Sequence, residues 1–454
     1  MTGKVHFIAI GGSAMHNLAI ALKINGFQVS GSDDEIFEPS KTRLKEHGLL
    51  PTNEGWNTEN ITQDLEAVIL GMHARQDNPE LIKAKELGLK IYSYPEYIYQ
   101  QSIDKQRVVI AGSHGKTSIT SMILHVLNFW NKDFDYLVGA QLEGFSNMVK
   151  LSNAPIIVIE GDEYLSSPDD RRPKFVHYQH HIGLISGIAW DHINVFPTFD
   201  SYKEQFVSFV KLTPKGGKLF FSEDDAEVKD VCQSNPNPDV TQKGYSTHKH
   251  VIKNAITFLI DKNGNEHEIQ VFGEHNLKNI NAAFNICNCL GISNEQFYEA
   301  IKTFKGAANR LEKLASNNGR TIFKDFAHAP SKLKATTQAV KAQFGNQKML
   351  ACLELHTFSS LTKAFLTQYK DTFSLPDTAI VYFNPDTIAH KKLEPISVED
   401  VKAAFNNPNL LVFNDSKTLQ EYLLKPDWSE YNILLMSSGN FGGINLKEFA
   451  NKLV

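Results

Sequence analysis

The stretch VVIAGSHGKTSIT, Val108–Thr120, opens on an apolar run, breaks into glycine, histidine and lysine, and resumes with small residues and helix formers. It reads as a buried strand running into a helix. Two readings of the break compete: a plain turn in which glycines permit tight geometry and the lysine is solvated, and a cradle for phosphate. A full Walker pattern would place a glycine five residues before Gly115, where Ile110 stands instead. The shortened GSHGKTS still supplies backbone N–H groups at a helix start, a flexible cation at Lys116 and a hydroxyl at Thr117 able to ligate Mg²⁺. With a strand before it and a helix after it, the segment favours phosphate.

Outward from this turn, the whole chain bounds what the motif can serve. Its 454 residues exceed one compact core, so two or three domains are expected. A hydrophobic content of 42%, a charged content of 21% and a net charge of −5 describe an ordinary globular protein without a global basic field, so neither nucleic acid nor a membrane surface is an expected partner. MTGKVHFIAIGG enters a strand at once and lacks the apolar core of a secretory signal, and no apolar run approaches the ~20 residues of a membrane span; a cytoplasmic protein is expected. Cys232, Cys287, Cys289 and Cys352 are too irregular for a disulfide frame or a zinc knuckle.

The rhythm along the chain is α/β. Strands VHFIAI, QVSGSD, AVILG and KIYSY alternate with helical segments to about residue 105. A second series runs from RVVIAG through APIIVIEGD and HIGLISGIAWD, and a third restarts near FKGAANRLEKL with RTIFKDFAH, QKMLACLEL, TAIVYFN, NLLVFN and NILLMSSG. The expected division is a Rossmann-like N-terminal domain at 1–105, a central P-loop ATPase-type domain at 106–308 and a Rossmann-like C-terminal domain at 309–454.

Within the first series, IAIGGSAMHNLAIAL opens a helix after a strand, and VSGSDD follows where an acidic residue can meet a ribose or base. Ala14, His16 and Asn17 stand where further glycines or small residues would be expected, so a nucleotide-diphosphate site is a better reading than NAD chemistry. Beside the phosphate turn, Glu160, Asp162 and Glu163 crowd the end of the strand PIIVIE, and GIAWDHINVF ends another with Asp191 and His192. Carboxylates so placed repel one another unless a cation neutralises them, which favours divalent-metal ligation. His177, His180 and His181 are close in sequence but do not converge if extended, and are assigned to structure or substrate contact.

The ordered set GSHGKTS, IEGDEY, WDHINVF, GEHNLKNINAA, FKGAANRLE and DFAHAP resembles the Mur ligase family, the ATP-dependent amide-forming enzymes of peptidoglycan synthesis. The likeness covers essentially the whole chain, and IAIGGSAM with VSGSD is similar to the family's UDP-binding domain. The resemblance implies ATP and Mg²⁺ as cofactors. It assigns Gly112, Ser113, His114, Gly115, Lys116, Thr117 and Ser118 to ATP, and Thr117, Glu160 and His192 to the metal. Asn276 and Asn279 would meet the adenine, Arg310 the phosphates, and Asp325 and His328 the nucleotide and incoming amine. Lys116, His192, Arg310 and His328 are the implied catalytic set, and Gly11, Gly12, Ser13, Ser32, Asp33 and His73 the implied UDP-substrate contacts. Asn309 replaces one of a frequent arginine pair, and Ala329 a frequent second histidine.

The implied substrates are UDP-N-acetylmuramate and an amine. DDRRPKFVHYQ and SSGNFGGINLKEF are most similar to members that take the murein tripeptide L-alanyl-γ-D-glutamyl-meso-diaminopimelate; free L-alanine is the alternative amine. A phosphate-loop kinase or a catalytically silent nucleotide-binding regulator would use the same turn, but neither would need a UDP domain. The sequence sets no oligomeric state.

Overall fold

The computed structural model describes residues 3–72, 74–142, 144–167, 170–191, 195–306, 310–317, 319–424 and 428–454. The chain forms two compact units, Met1–Ser246 with Asn279–Ile301, and Thr247–Lys278 with Lys302–Val454.

The first unit holds two sheets. One contains β1 (Lys4–Ile8), β2 (Gln28–Ser32), β3 (Ala67–Leu70) and β4 (Ile91–Ser93), in the all-parallel order β2-β1-β3-β4. The other contains β5 (Gln106–Ala111), β6 (Asp135–Leu137), β7 (Val149–Lys150), β8 (Ile156–Glu160), β9 (Ile182–Ile185), β10 (Lys218–Ser222) and β11 (Thr241–Tyr245), in the order β11-β10-β9-β5-β8-β6-β7. Only the edge pair β6/β7 is antiparallel. Central β5 is covered on both faces, so its side chains are almost continuously apolar and buried rather than alternating. The helices that carry the argument are α1 (Ser13–Ile24), α2 (Ser40–Glu46), α3 (Pro79–Glu86), α4 (Tyr94–Gln100), α5 (Lys116–Phe129), the single turn α6 (Lys174–His177) and α7 (Phe199–Lys211).

In the second unit, β12 (His250–Lys253), β13 (Ile256–Ile260) and β14 (Glu266–Ile269) make a small antiparallel sheet. Then β15 (Glu312–Asn317), β16 (Arg320–Asp325), β17 (Lys348–Leu355), β18 (Thr378–Phe383), β19 (Leu411–Phe413) and β20 (Tyr431–Met436) pair in the order β15-β16-β20-β17-β18-β19, parallel except for β15/β16. No helix among the described residues is long and apolar enough to cross a membrane.

The residues that spoil the N-terminal glycine loop hold α1 in place. His16 is buried and its Nδ1 lies 2.9 Å from the Gly12 carbonyl and 3.0 Å from Ser40 Oγ, which ties α1 to α2. Asn17 is fully buried; its side-chain oxygen accepts from Arg43 at 2.8 Å, and its backbone carbonyl accepts from Asn147 Nδ2 at 2.9 Å. Arg43 also donates to Asn147 Oδ1 at 2.9 Å, so one guanidinium joins the first sheet's helices to the strand entering β7. Arg43→Ala should cost the first unit about 1.5–3 kcal/mol, the range for hydrogen bonds to a charged group. The urea midpoint of that unit, followed by tryptophan fluorescence, checks this; an unchanged midpoint would contradict it.

Candidate active site

Register sets the site. In the parallel pair β5/β8, Ile110 lies opposite Glu160, and in β5/β9, Ala111 lies opposite Ile185, so three strands end together at one carboxyl edge. That edge is where open α/β sheets receive ligands. From β5 the chain enters the turn 112–115 and then α5, whose first residues are Lys116 and Thr117. From β8 it delivers Glu160, Asp162 and Glu163. From β9 it delivers Ser186–Ala189, which backs the turn: Ser113 N donates to the Gly187 carbonyl at 2.9 Å and Ala189 N to Ser113 Oγ at 2.8 Å.

Two glycines are required by this packing. Gly115 caps α5 at φ +80°, and a Cβ there would also lie 2.7 Å from Asn279 Oδ1. At Gly187 a Cβ would fall inside the His114 ring. Gly187, with Ser186, was missed in the sequence because neither belongs to the phosphate motif; the only signal was a small pair directly after the strand IGLI.

The charges at this edge are arranged unequally. Lys116 Nζ lies 2.6 Å from Glu163 Oε2 and also donates to the Gly112 carbonyl, while Glu163 Oε1 accepts from Tyr202 of α7 at 3.2 Å. Burial works to lower the Lys116 pKa, but Glu163 and Asp162 outweigh it and hold the ammonium above the usual lysine value. Asp162 is likewise penalised by burial, yet Lys174 at 2.6 Å and Lys116 bring it below the usual carboxylate range. Glu160 differs. Its carboxylate accepts from Thr117 Oγ1 and from Gly139 N, each at 2.7 Å, and burial pushes its pKa up despite both bonds.

A buried carboxylate held by neutral donors beside a threonine hydroxyl fits Mg²⁺, which takes a few oxygen ligands and keeps its own waters. His192, the other implied ligand, lies outside the described residues, as do His73 and Asn309. The histidine triplet does not converge: His180 is stacked on Phe209 with Nε2 2.8 Å from Thr213 Oγ1, and His181 Nδ1 accepts from Arg107 N at 3.1 Å.

Toward the UDP-type loop, Asp33 Oδ2 accepts from Gly11 N at 2.6 Å, which closes the strand end onto Gly11–Ser13. Burial raises the Asp33 pKa to about 6, against the lowering effect of that N–H. Ser32 gives its hydroxyl to Glu80 of α3 at 2.6 Å, and Glu80 also accepts from Asn57 N at 2.8 Å. Ser32 Oγ thereby links β2 to α3 within the fold.

In the second unit, Asp325 ends β16 and is buried; its carboxylate accepts from Leu311 N at 2.8 Å, Ala327 N at 2.7 Å and Thr336 Oγ1 at 3.2 Å. The Arg310 guanidinium lies 4.7 Å over the Phe326 ring, and Phe326 also packs edge-on against His328. His275 was missed in the sequence, hidden inside GEHNLKN. Burial lowers its pKa, with Asp325 raising and Arg310 lowering it further, so a neutral imidazole sits in the field of the implied phosphate and amine residues. Asn276 donates to the Phe272 carbonyl at 2.9 Å. Helix α8 (Ala226–Gln233) precedes this region in sequence, and α9 (Glu274–Cys289) carries Asn276 and Asn279 on successive turns.

A phosphate turn on a parallel edge, with a threonine–glutamate pair whose chemistry suits a divalent cation, is the arrangement of a nucleotide-phosphate-binding α/β protein. Residues 110–287 match the Mur ligase middle domain and residues 4–105 the Mur ligase family catalytic domain. A UDP-N-acetylmuramate–L-alanine ligase of Caldicellulosiruptor bescii is 33% identical over 83% of this chain and 83% of its own length. Among solved structures, a UDP-N-acetylmuramate-alanine ligase from Thermotoga maritima aligns with TM-score 0.69 at 20% identity, covering 99% of this chain and 98% of that one. A UDP-N-acetylmuramate:L-alanyl-γ-D-glutamyl-meso-diaminopimelate ligase from Neisseria meningitides aligns with TM-score 0.60 at 25% identity, covering 67% of this chain and 99% of that one. The chain belongs to the Mur ligase family and is an ATP-dependent carboxylate–amine ligase.

Gly115→Ala should weaken ATP binding by at least about tenfold, because the added Cβ is strained at positive φ and displaces Asn279. Titration with a fluorescent ATP analogue tests this, with circular dichroism confirming the fold; wild-type affinity would contradict it.

Proposed function

We propose that this enzyme joins the lactyl carboxylate of UDP-N-acetylmuramate to the α-amine of an L-alanyl group. The observation that carries the reading is the shared strand edge on which Lys116 bonds to Glu163 and Thr117 to Glu160 at hydrogen-bonding distance. A carboxylate oxygen attacks the γ-phosphorus of ATP, ADP leaves, and the resulting acyl phosphate is attacked at carbon by the amine, with loss of phosphate and a proton. Lys116, drawn from Glu163 to the phosphates, offsets charge building on the transferred group. A Mg²⁺ ion held by Thr117 and Glu160 would supply further neutralisation of the phosphate oxygens. Asp33, Gly11, Gly12 and Ser13 are assigned to the UDP substrate, and Arg310, Asp325 and His328 to the phosphates and amine. Holding acid, ATP and amine together is worth up to about 7–11 kcal/mol of barrier. On this reading a three-domain division at 105 and 308 would give each substrate its own domain.

Two amines share the reacting group. Free L-alanine has the stronger support, because relatives matching most of the chain at 30–33% identity are L-alanine ligases. The murein tripeptide, whose first residue is also L-alanine, is favoured by DDRRPKFVHYQ and by the Neisseria ligase named above. This reading places the enzyme in peptidoglycan assembly in the first case and in peptide recycling in the second.

ADP release measured with UDP-N-acetylmuramate and no amine, L-alanine or tripeptide decides between them. Amine-dependent release with L-alanine is expected, and release with tripeptide alone would select the second reading. Release without any amine, accompanied by a phosphorylated hydroxyl compound, would instead identify a kinase. Lys116→Ala should lower the amine-dependent rate by about 10²–10³-fold; a wild-type rate would defeat the mechanism.

A further inference from the structure

Away from the ATP edge, a cavity of about 280 Å³ is lined by Tyr92, Glu96, Tyr99, Arg172, His177 and neighbouring residues. One donor atom from each of Glu96, Asp170 and His177 lies within 4.8 Å of the others. The side chain of His177 is only 5% exposed, and its Nε2 has no hydrogen-bond partner. Asp170 Oδ2 faces that nitrogen at 3.1 Å as an ion-pair neighbour. A sealed, unpaired imidazole nitrogen beside two carboxylates is costly in a purely structural cluster.

We propose that Glu96, Asp170 and His177 form a binding site for a divalent transition cation such as Zn²⁺, separate from the ATP-linked Mg²⁺. One imidazole and two carboxylates are the borderline donor set that such ions take, with waters completing the shell. An O···N separation of 3.1 Å suits two ligands about 2.0–2.2 Å from one ion. Arg172 binds both oxygens of Asp170 at 2.6–3.1 Å, but its side chain is 62% exposed and a carboxylate has lone pairs for both partners. The guanidinium then orients the ligand from outside. Glu96 is fixed as well: its carboxylate accepts from Ser93 N at 2.8 Å and Ser93 Oγ at 2.7 Å in the capping box of α4.

The ion would clip α4, which follows the first sheet, to α6. In α6, Lys174 holds Asp162 at the ATP edge while His177, three residues on, reaches the cavity.

The test strips the full-length protein with chelator, dialyses it against micromolar Zn²⁺ in excess Mg²⁺, and measures retained zinc by mass spectrometry. Wild type and Lys116→Ala should both retain one equivalent, and His177→Ala and Glu96→Gln should bind at least about tenfold more weakly. Cobalt(II) substitution should give visible d–d bands without thiolate charge transfer, which excludes the half-buried Cys289 as the ligand. Glu96→Gln keeps an acceptor for Ser93, and thermal melts without metal confirm that both variants fold. Failure of wild type to retain zinc, equal retention by both variants, or a thiolate band would overturn the site.

Discussion

The structure turns on one buried contact, the Thr117 hydroxyl against the Glu160 carboxylate. It spans the gap between the first turn of α5 and the end of β8, and it exists because the parallel register puts Ile110 level with Glu160. Lys116, one residue away, is already held by Glu163, and Lys174 by Asp162. Two of the three acidic groups therefore have a lysine within 2.6 Å, whereas the hydrogen bonds to Glu160 among the described residues come from a hydroxyl and an amide N–H. Neutral donors leave the desolvation of a buried anion only partly offset, which is why its pKa rises while that of Asp162 falls. This difference between Glu160 and its two lysine-paired neighbours is the chemical basis on which Mg²⁺ is proposed at Thr117 and Glu160 rather than at Asp162 or Glu163.

The same economy of contacts governs the N-terminal loop. A dinucleotide-type loop packs its helix closely through glycines and small residues. Here α1 instead buries His16 and Asn17 and uses their polar atoms to bind α2 and the segment around Asn147. The loop gives up close approach at those positions and gains a fixed orientation of α1 relative to the second sheet. Gly11–Ser13 remain at the helix start, with Asp33 drawn onto Gly11 N, and this is the turn proposed to meet the UDP substrate.

How much of this was legible in the sequence follows from distance along the chain. The phosphate turn was legible because strand, glycines, lysine, threonine and helix are contiguous, and Glu160 because it ends an unbroken apolar run. The α/β alternation read correctly for the same reason: each strand and helix carries its own periodicity. Partners brought by another strand left no local mark. Gly187 matters only because β9 pairs with β5 and presses it onto His114. His275 acquires its surroundings from Arg310 and from Asp325 at the end of β16, distant in sequence. The bond from the Ser32 hydroxyl to Glu80 likewise appears only once α3 is folded against β2. The amine is the least legible element, since both candidates present the same L-alanyl nitrogen and differ only beyond it.

The segment from Asp162 to His177 is what converts these separate contacts into one mechanical system. Its backbone is fastened at both ends, with Phe175 N donating to the Asp162 carbonyl at 3.1 Å and Lys174 N to the Tyr164 carbonyl at 3.0 Å. Lys174 and His177 occupy the two ends of a single helical turn, so a displacement of one carries the other. Lys174 sets the charge of Asp162 at the ATP edge, and His177 faces Glu96 on α4, which is capped directly from the end of β4. The acidic strand end and α4 thus both contact residues of the same helical turn. Lys174 at one end of that turn offsets the charge of Asp162, and His177 at the other end lies beside Glu96.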